Sequence, residues 1–244
     1  MGSLFSADGV QFLLRWFHFL AGITWIGMLY YFNLVQTPFF KSADAAVRSG
    51  MVRGVVPVAL WWFRWGAMFT FLTGWSMIMA KTHGANALPW NAVYVTLILT
   101  GGLLGTLMWF NVWFIIWPNQ KVVIASAEQV AKGGQAIPEA AAKGAVAGMA
   151  SRTNFVLSIP MLFYMGAASH LPNLISPTNS PLVWWVVFAV LVGAMQWNAV
   201  KGNEKTRKPL TTVKGAITLG IAVTVVFIVL QSMLLGGEAP AAPK

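Results

Sequence analysis

The sequence predicts an all-α integral membrane protein, a bundle of six transmembrane helices with both termini on the outer side. Three observations carry that reading. Only 9% of the 244 residues are charged, against about 25% in soluble domains, and the mean hydropathy is +0.67. The apolar residues fall in runs of roughly 20, enough to cross a bilayer as helix, rather than in the alternating ten-residue segments of a barrel. The basic residues fall between the runs, almost all on one side.

Taken in order, Ser6 or Asp8 caps the first helix. Span one covers about 11–36 and is expected to stop at Thr37-Pro38, because the residue before proline avoids helical geometry. It lacks a small-residue cleavage site and reads as a retained span. Asp44 caps a short interfacial helix in which Val47, Met51 and Val55 recur at helical spacing. Span two covers about 58–80, followed by a tight turn from Lys81 to Trp90. Span three covers about 91–117, with Trp109, Trp113 and Trp117 on one face. Residues 118–137 read as a polar loop.

Pro138-Glu139 then starts an alanine-rich helix of about 31 residues, ~46 Å long. Its second half is span four, about 153–170, with Pro160 as an expected kink. Span five covers about 181–199 and span six about 213–235. These form one domain over 1–236; the tail 237–244 is small and proline-rich and reads as disordered. Gly101-xxx-Gly105 and Gly144-xxx-Gly148 are read as helix-packing features.

The connections 37–57, 118–152 and 200–214, together with Arg64, hold all of the 16 Lys and Arg except Arg15, Lys81 and Lys244. That side is therefore expected to be cytoplasmic, with both termini outside. The net charge of +10 is this positive-inside signal and not a nucleic-acid footprint. There is no cysteine, so disulfides, iron–sulfur clusters and covalent CxxCH haem have no ligands in this chain. No P-loop, dinucleotide fingerprint, nucleophile elbow or HExxH occurs.

Two polar poles remain. On the outer side, His18, His83 and His170 share one face of the membrane. Histidines on facing bundle helices can hold a b-type haem, with His18 and His170 as axial ligands and His83 as a third candidate. Gly22 and Gly166, one turn from His18 and His170, leave room for a macrocycle, and Arg15 suits a propionate. The alternative is that these histidines hydrogen-bond a neighbour or snorkel to the interface. On the inner side lie Gln36, Arg64, Asn111, Asn119, Gln120, Arg152 and Asn154 among tryptophans. The acidic residues of that side all sit in loops, so Arg64 suits an anionic ligand. The competing reading is an aromatic belt with Arg64 snorkelling to lipid phosphate.

RWFHFLAGITWIG with YYF, then WWFRWGAMFTFLTG, NVWFIIWPNQK and SRTNFVLSIPMLFYMGAASH, resemble the membrane domain of the membrane-bound bacterial urate oxidases, also called urate hydroxylases. The resemblance runs along most of 11–171. It implies oxidation of urate or a similar planar anion, held near Arg64, Asn111 and Asn154, with electrons passing to a cytochrome c. Typical members carry that cytochrome at their C-terminus. Residues 1–244 contain no CxxCH, so a separate c-type cytochrome or a larger membrane complex is the expected partner. The chain also reads Ala168-Ser169-His170 where the family pattern has an asparagine before the histidine. Two further readings stay open: a non-catalytic b-haem or accessory subunit, and a small-anion transporter.

Overall fold

The computed structural model describes residues 2–84, 86–175 and 180–236, which are helical and contain no strand. The helices used below are α1 (Ala7–Ser42), α2 (Ala45–Arg53), α3 (Val55–His83), α4 (Val93–Ala131), α5 (Ala140–His170), α6 (Leu182–Lys201) and α7 (Val213–Leu235). Five of them, α1, α3, α4, α6 and α7, are long and apolar enough to cross a membrane. The expected disordered tail, 237–244, lies outside the described residues.

The sixth long helix, α5, explains its own lower apolarity. At 31 residues it is ~46 Å long, and it packs against α4, α6 and α7 and more lightly against α1. Residues 152–158 are buried without interruption. A helix enclosed on all sides turns little surface to lipid, so Thr153, Asn154 and Ser158 can sit at its centre. It meets α4 closely at Gly101, where a Cβ would lie 3.1 Å from the Met161 carbonyl oxygen and 3.3 Å from the Tyr164 Cβ, and α7 at Gly220, where a Cβ would lie 3.0 Å from the Val156 carbonyl oxygen. The Gly101-xxx-Gly105 packing expectation therefore holds at its first glycine. A second pairing, α1 on α3, completes the other half of the bundle, with α4 between the halves.

Two helix stops read from the sequence are corrected. Span one does not end at Thr37-Pro38; α1 runs on to Ser42 through a π turn at Tyr31–Gln36. A proline in a regular helix lacks one N–H and its ring crowds the carbonyl four residues back. The wide turn removes that conflict: the Thr37 N–H reaches Phe32 O, and the Thr37 hydroxyl donates to the same oxygen at 2.7 Å. At Pro118 the chain repeats this solution. A π turn at Asn111–Ile116 precedes it, the Trp117 N–H donates to Val112 O, and Asn119 Nδ2 donates to Ile115 O at 2.6 Å. Residues 118–131, expected as loop, are thus the last part of α4. They bury Ile124 and Ser126, and Ser126 Oγ accepts the Ile137 N–H at 3.0 Å, closing the short link to α5. Likewise Lys81–His83, expected in a turn, form the last residues of α3.

The remaining elements follow the sequence closely. Ser6 caps α1, its Oγ accepting the Gly9 N–H at 3.2 Å. Asp44 precedes α2 as expected but makes no side-chain cap bond. The α6–α7 connection is held by Asn203, which forms a capping box with Thr206, and by Arg207, which donates to Asn198 O and Ala199 O at 3.0 and 3.1 Å. Trp184 Nε1 and Gln231 Nε2 both donate to Thr100 Oγ1 at 3.3 Å, joining α4, α6 and α7.

Candidate functional site

The π turns put polar side chains where a straight helix would carry apolar ones, and such turns are frequent at functional sites. Asn33, in the first, is buried; its Nδ2 donates to Leu29 O at 2.8 Å and across to Ser151 Oγ of α5 at 3.1 Å. Asn111 opens the second and is fully buried. Its Nδ2 donates to Asn154 Oδ1 at 2.8 Å and to Gln196 Oε1 at 3.0 Å. Gln196 Nε2 returns a bond to Asn111 Oδ1 at 2.7 Å, and Asn154 Nδ2 donates to Met108 O at 2.9 Å. This amide network locks α4, α5 and α6 together. The sequence pointed to Asn111 and Asn154, and the structure brings them into contact. Their polar atoms, however, are occupied by one another, by Gln196 and by backbone.

Arg64 lies elsewhere. Its guanidinium stacks on Trp117, with Cζ 3.4 Å from the ring centroid, and lies 5.6 Å from that of Trp113. Its Nε donates to Leu60 O at 3.2 Å. Trp65 packs edge-on against Trp113, and Trp109 stacks on Phe71, so the expected tryptophan face is real and turned toward α3. A partly exposed cation–π contact of this kind contributes about 1 kcal/mol, and the aromatic stack supplies the partner that the missing carboxylate left open.

Arg152 is a buried cation in a different setting. It is 6% exposed, its Nη1 has no hydrogen-bond partner, and its guanidinium is 6.0 Å from the Phe155 ring centroid. It lines a cavity of about 330 Å³ bounded by α1, α3, α4, α5 and the Leu210–Thr211 stretch of the α6–α7 connection. Polar lining comes from Asn33, Gln36, Thr37, Lys41, Gln120, Ser151 and Arg152, with no acidic side chain. Gln36 Oε1 is also buried without a partner. Phe32 and Phe63 form an aromatic wall, their rings edge to face at 5.4 Å. Burying an unpaired cation costs several kcal/mol. A half-open cavity lined by two cations, a set of amides and aromatic walls is therefore complementary to a planar anion. Gln36 and Arg152 were visible in the sequence as members of the inner pole. The signal that joins them, one buried atom of each without a hydrogen-bond partner on the wall of the same cavity, exists only in three dimensions.

The three histidines occupy separate neighbourhoods. His18 is half-buried in the α1–α3 seam, its Nδ1 2.9 Å from Thr73 Oγ1. Because the Thr73 hydroxyl is 2.6 Å from Phe69 O and donates to it, His18 Nδ1 is the donor in the contact with Thr73. His83 is exposed, 3.0 Å from Thr82 Oγ1 and edge-on to Trp90. His170 ends α5, exposed. Gly22 faces Thr70 across the seam, where a Cβ would be 3.9 Å from its methyl group, so α3 already fills the room expected for a macrocycle. Gly166 is open, and Arg15 is exposed. A haem held between His18 and His170 does not fit this arrangement, since the His18 ring turns toward α3 while α5 packs on α4 and α7. Among the described residues no cluster of three or more His, Asp or Glu is present.

A family model described as urate oxidase N-terminal matches residues 90–228, spanning α4 through α7 and including Asn111, Arg152, Asn154 and Gln196. Comparisons with curated proteins and with solved structures return no match.

Proposed function

The chain belongs to the urate oxidase N-terminal family, and on that premise we propose that it is a membrane oxidoreductase that binds urate or a similar planar anion in the Arg152 cavity and oxidises it. The observation that carries the proposal is Arg152, a buried cation with an unpartnered Nη1, facing a cavity without a carboxylate. Arg152 takes the substrate-binding role that the sequence suggested for Arg64, because Arg64 already has Trp117. Asn111 and Asn154 support the site as the network that fixes α5, on which Arg152 sits.

Each group then has a role. Arg152 offsets the anion's charge and holds its oxygen by charge-assisted hydrogen bonds. Phe32 and Phe63 bound a slot for a flat ring, and Lys41 at the α1 end adds a second positive charge. Oxidation of the urate anion with addition of one water to the ring removes two electrons and two protons; two ferric c-type cytochromes, supplied as a separate partner, take one electron each, and the protons leave to solvent. Binding energy on the anion fixes its position, and the fixed positive charge stabilises charge rearrangement during oxidation. A b-type haem enters this proposal only at His18, and no step here depends on it. Six spans, a cytoplasmic cavity and outer termini in a bacterial inner membrane complete the reading. The charge asymmetry of the connections supports that topology.

The test is urate-dependent reduction of added cytochrome c by the purified chain in nanodiscs, compared with Arg152→Ala. Reduction that depends on Arg152 supports the oxidoreductase. Urate uptake into vesicles without cytochrome reduction points to the anion transporter instead. A Soret band lost in His18→Ala with no urate activity points to the accessory haem subunit.

A further inference from the structure

Resting on the reading of the Arg152 cavity as the substrate site, we infer that Gln36 is its specificity-determining residue. Together with Arg152 it selects ligands that present a ring N–H beside an anionic oxygen, the edge of a cyclic ureide or imide, over anions that bring no hydrogen-bond donor.

The argument begins with two buried atoms of opposite kind. Arg152 Nη1 is a donor with no acceptor, and Gln36 Oε1 is an acceptor with no donor. Both residues line one cavity, from walls that the Asn33–Ser151 bond of 3.1 Å holds within side-chain reach. Gln36 is one turn from Asn33 on α1, and Arg152 follows Ser151 on α5. A guanidinium offers donors only, so it takes the ligand's charged oxygen but cannot read what lies beside it. The Gln36 carbonyl oxygen supplies the missing half, because it is satisfied only by a ligand donor, which the edge of a flat ring presents as N–H. A fully ionised carboxylate or phosphate group that brings no O–H would pair with Arg152 and leave Gln36 Oε1 buried and unpaired, a penalty that sites built for hydrogen bonding convert into selectivity. The edge-to-face pair Phe32–Phe63 at 5.4 Å suits a flat ring rather than a tetrahedral anion. Gln36 ends the π turn that accommodates Pro38, so the same backbone device that continues α1 past proline sets the position of this carboxamide.

Calorimetric binding to the purified full chain in nanodiscs tests this, with urate, the monomethylurates, acetate and sulfate as probes, the last two being anions without a hydrogen-bond donor. In the wild type, urate binds, and acetate and sulfate bind at least about tenfold more weakly. Methylation at one ring nitrogen weakens binding about ten- to hundredfold, the range expected for one buried hydrogen bond lost. That methyl penalty disappears in Gln36→Met. In Gln36→Glu, which keeps the acceptor but adds negative charge, every anion weakens while the penalty persists. The inference is overturned if all monomethylurates bind like urate, if the penalty survives in Gln36→Met, or if acetate and sulfate bind as well as urate. Urate that binds with this pattern but is never oxidised sinks the oxidase reading and leaves the edge recognition standing. Oxidation that proceeds with an unchanged methyl pattern in Gln36→Met sinks the edge recognition alone.

Discussion

Replacing Arg152 with methionine should abolish function and yet stabilise the empty protein. Arg152 is 6% exposed, has no carboxylate partner and leaves Nη1 unbonded. An ion in that position carries an effective desolvation penalty of several kcal/mol, and apolar replacements of buried ionic groups commonly stabilise by about 1–4 kcal/mol. Methionine preserves the unbranched stem and adapts to the gap, so unfolding of the ligand-free variant should require about 1–3 kcal/mol more than wild type. Urate reverses the order. At a hundredfold excess over its dissociation constant it stabilises the wild type by about 2.7 kcal/mol and the variant hardly at all, while kcat/KM in the variant falls at least about tenfold through loss of a charge-assisted bond. The assay is thermal or denaturant unfolding in nanodiscs with and without urate. If the variant is less stable than wild type without urate, Arg152 has a structural partner and the site reasoning fails. Equal stabilisation of both proteins by urate refutes it too.

Three further outcomes follow from the same geometry. Asn154→Leu removes the bonds to Met108 O and Asn111 Nδ2, leaving Asn111 Nδ2 with Gln196 Oε1 alone, and should lower unfolding stability by about 1–3 kcal/mol, with urate affinity changed far less; unaltered stability would show that the amide network does not hold the helices. Gly101→Val forces a branched side chain against the Met161 carbonyl, where even a Cβ would lie at 3.1 Å, and should cost about 1–3 kcal/mol or more in the same unfolding assay. Pro38→Ala restores an N–H and lets residues 31–38 approach regular α geometry, which turns Gln36 away from the cavity. Urate should then bind several-fold more weakly by calorimetry, and unchanged affinity would separate the π turn from the site.

How much of this was readable in the sequence differs by feature. Span six was expected at 213–235 and lies at Val213–Leu235, because an uninterrupted apolar run between polar ends leaves little choice. The 31-residue α5 was equally legible, from Pro138 and the alanine run before Arg152. Pro38 and Pro118 misled for a physical reason: proline's local chemistry says stop, and only packing on α5 makes a π turn worthwhile. The site divides the same way. The inner pole was visible as a set of cations and amides, and membership of Asn111 with Asn154 was correct as proximity. Choosing between Arg64 and Arg152 was not possible in one dimension, since both are cations near helix ends without local acids. Tertiary structure gives Arg64 the Trp117 face at 3.4 Å and places Arg152 on the wall of a cavity.

The most direct test of the account is a crystal structure of the chain with urate bound. The account predicts one planar ligand beside Phe32 and Phe63, with an oxygen within hydrogen-bond distance of Arg152. Urate stacked instead at Arg64 and Trp117, or a cavity left empty at saturating urate, would contradict it.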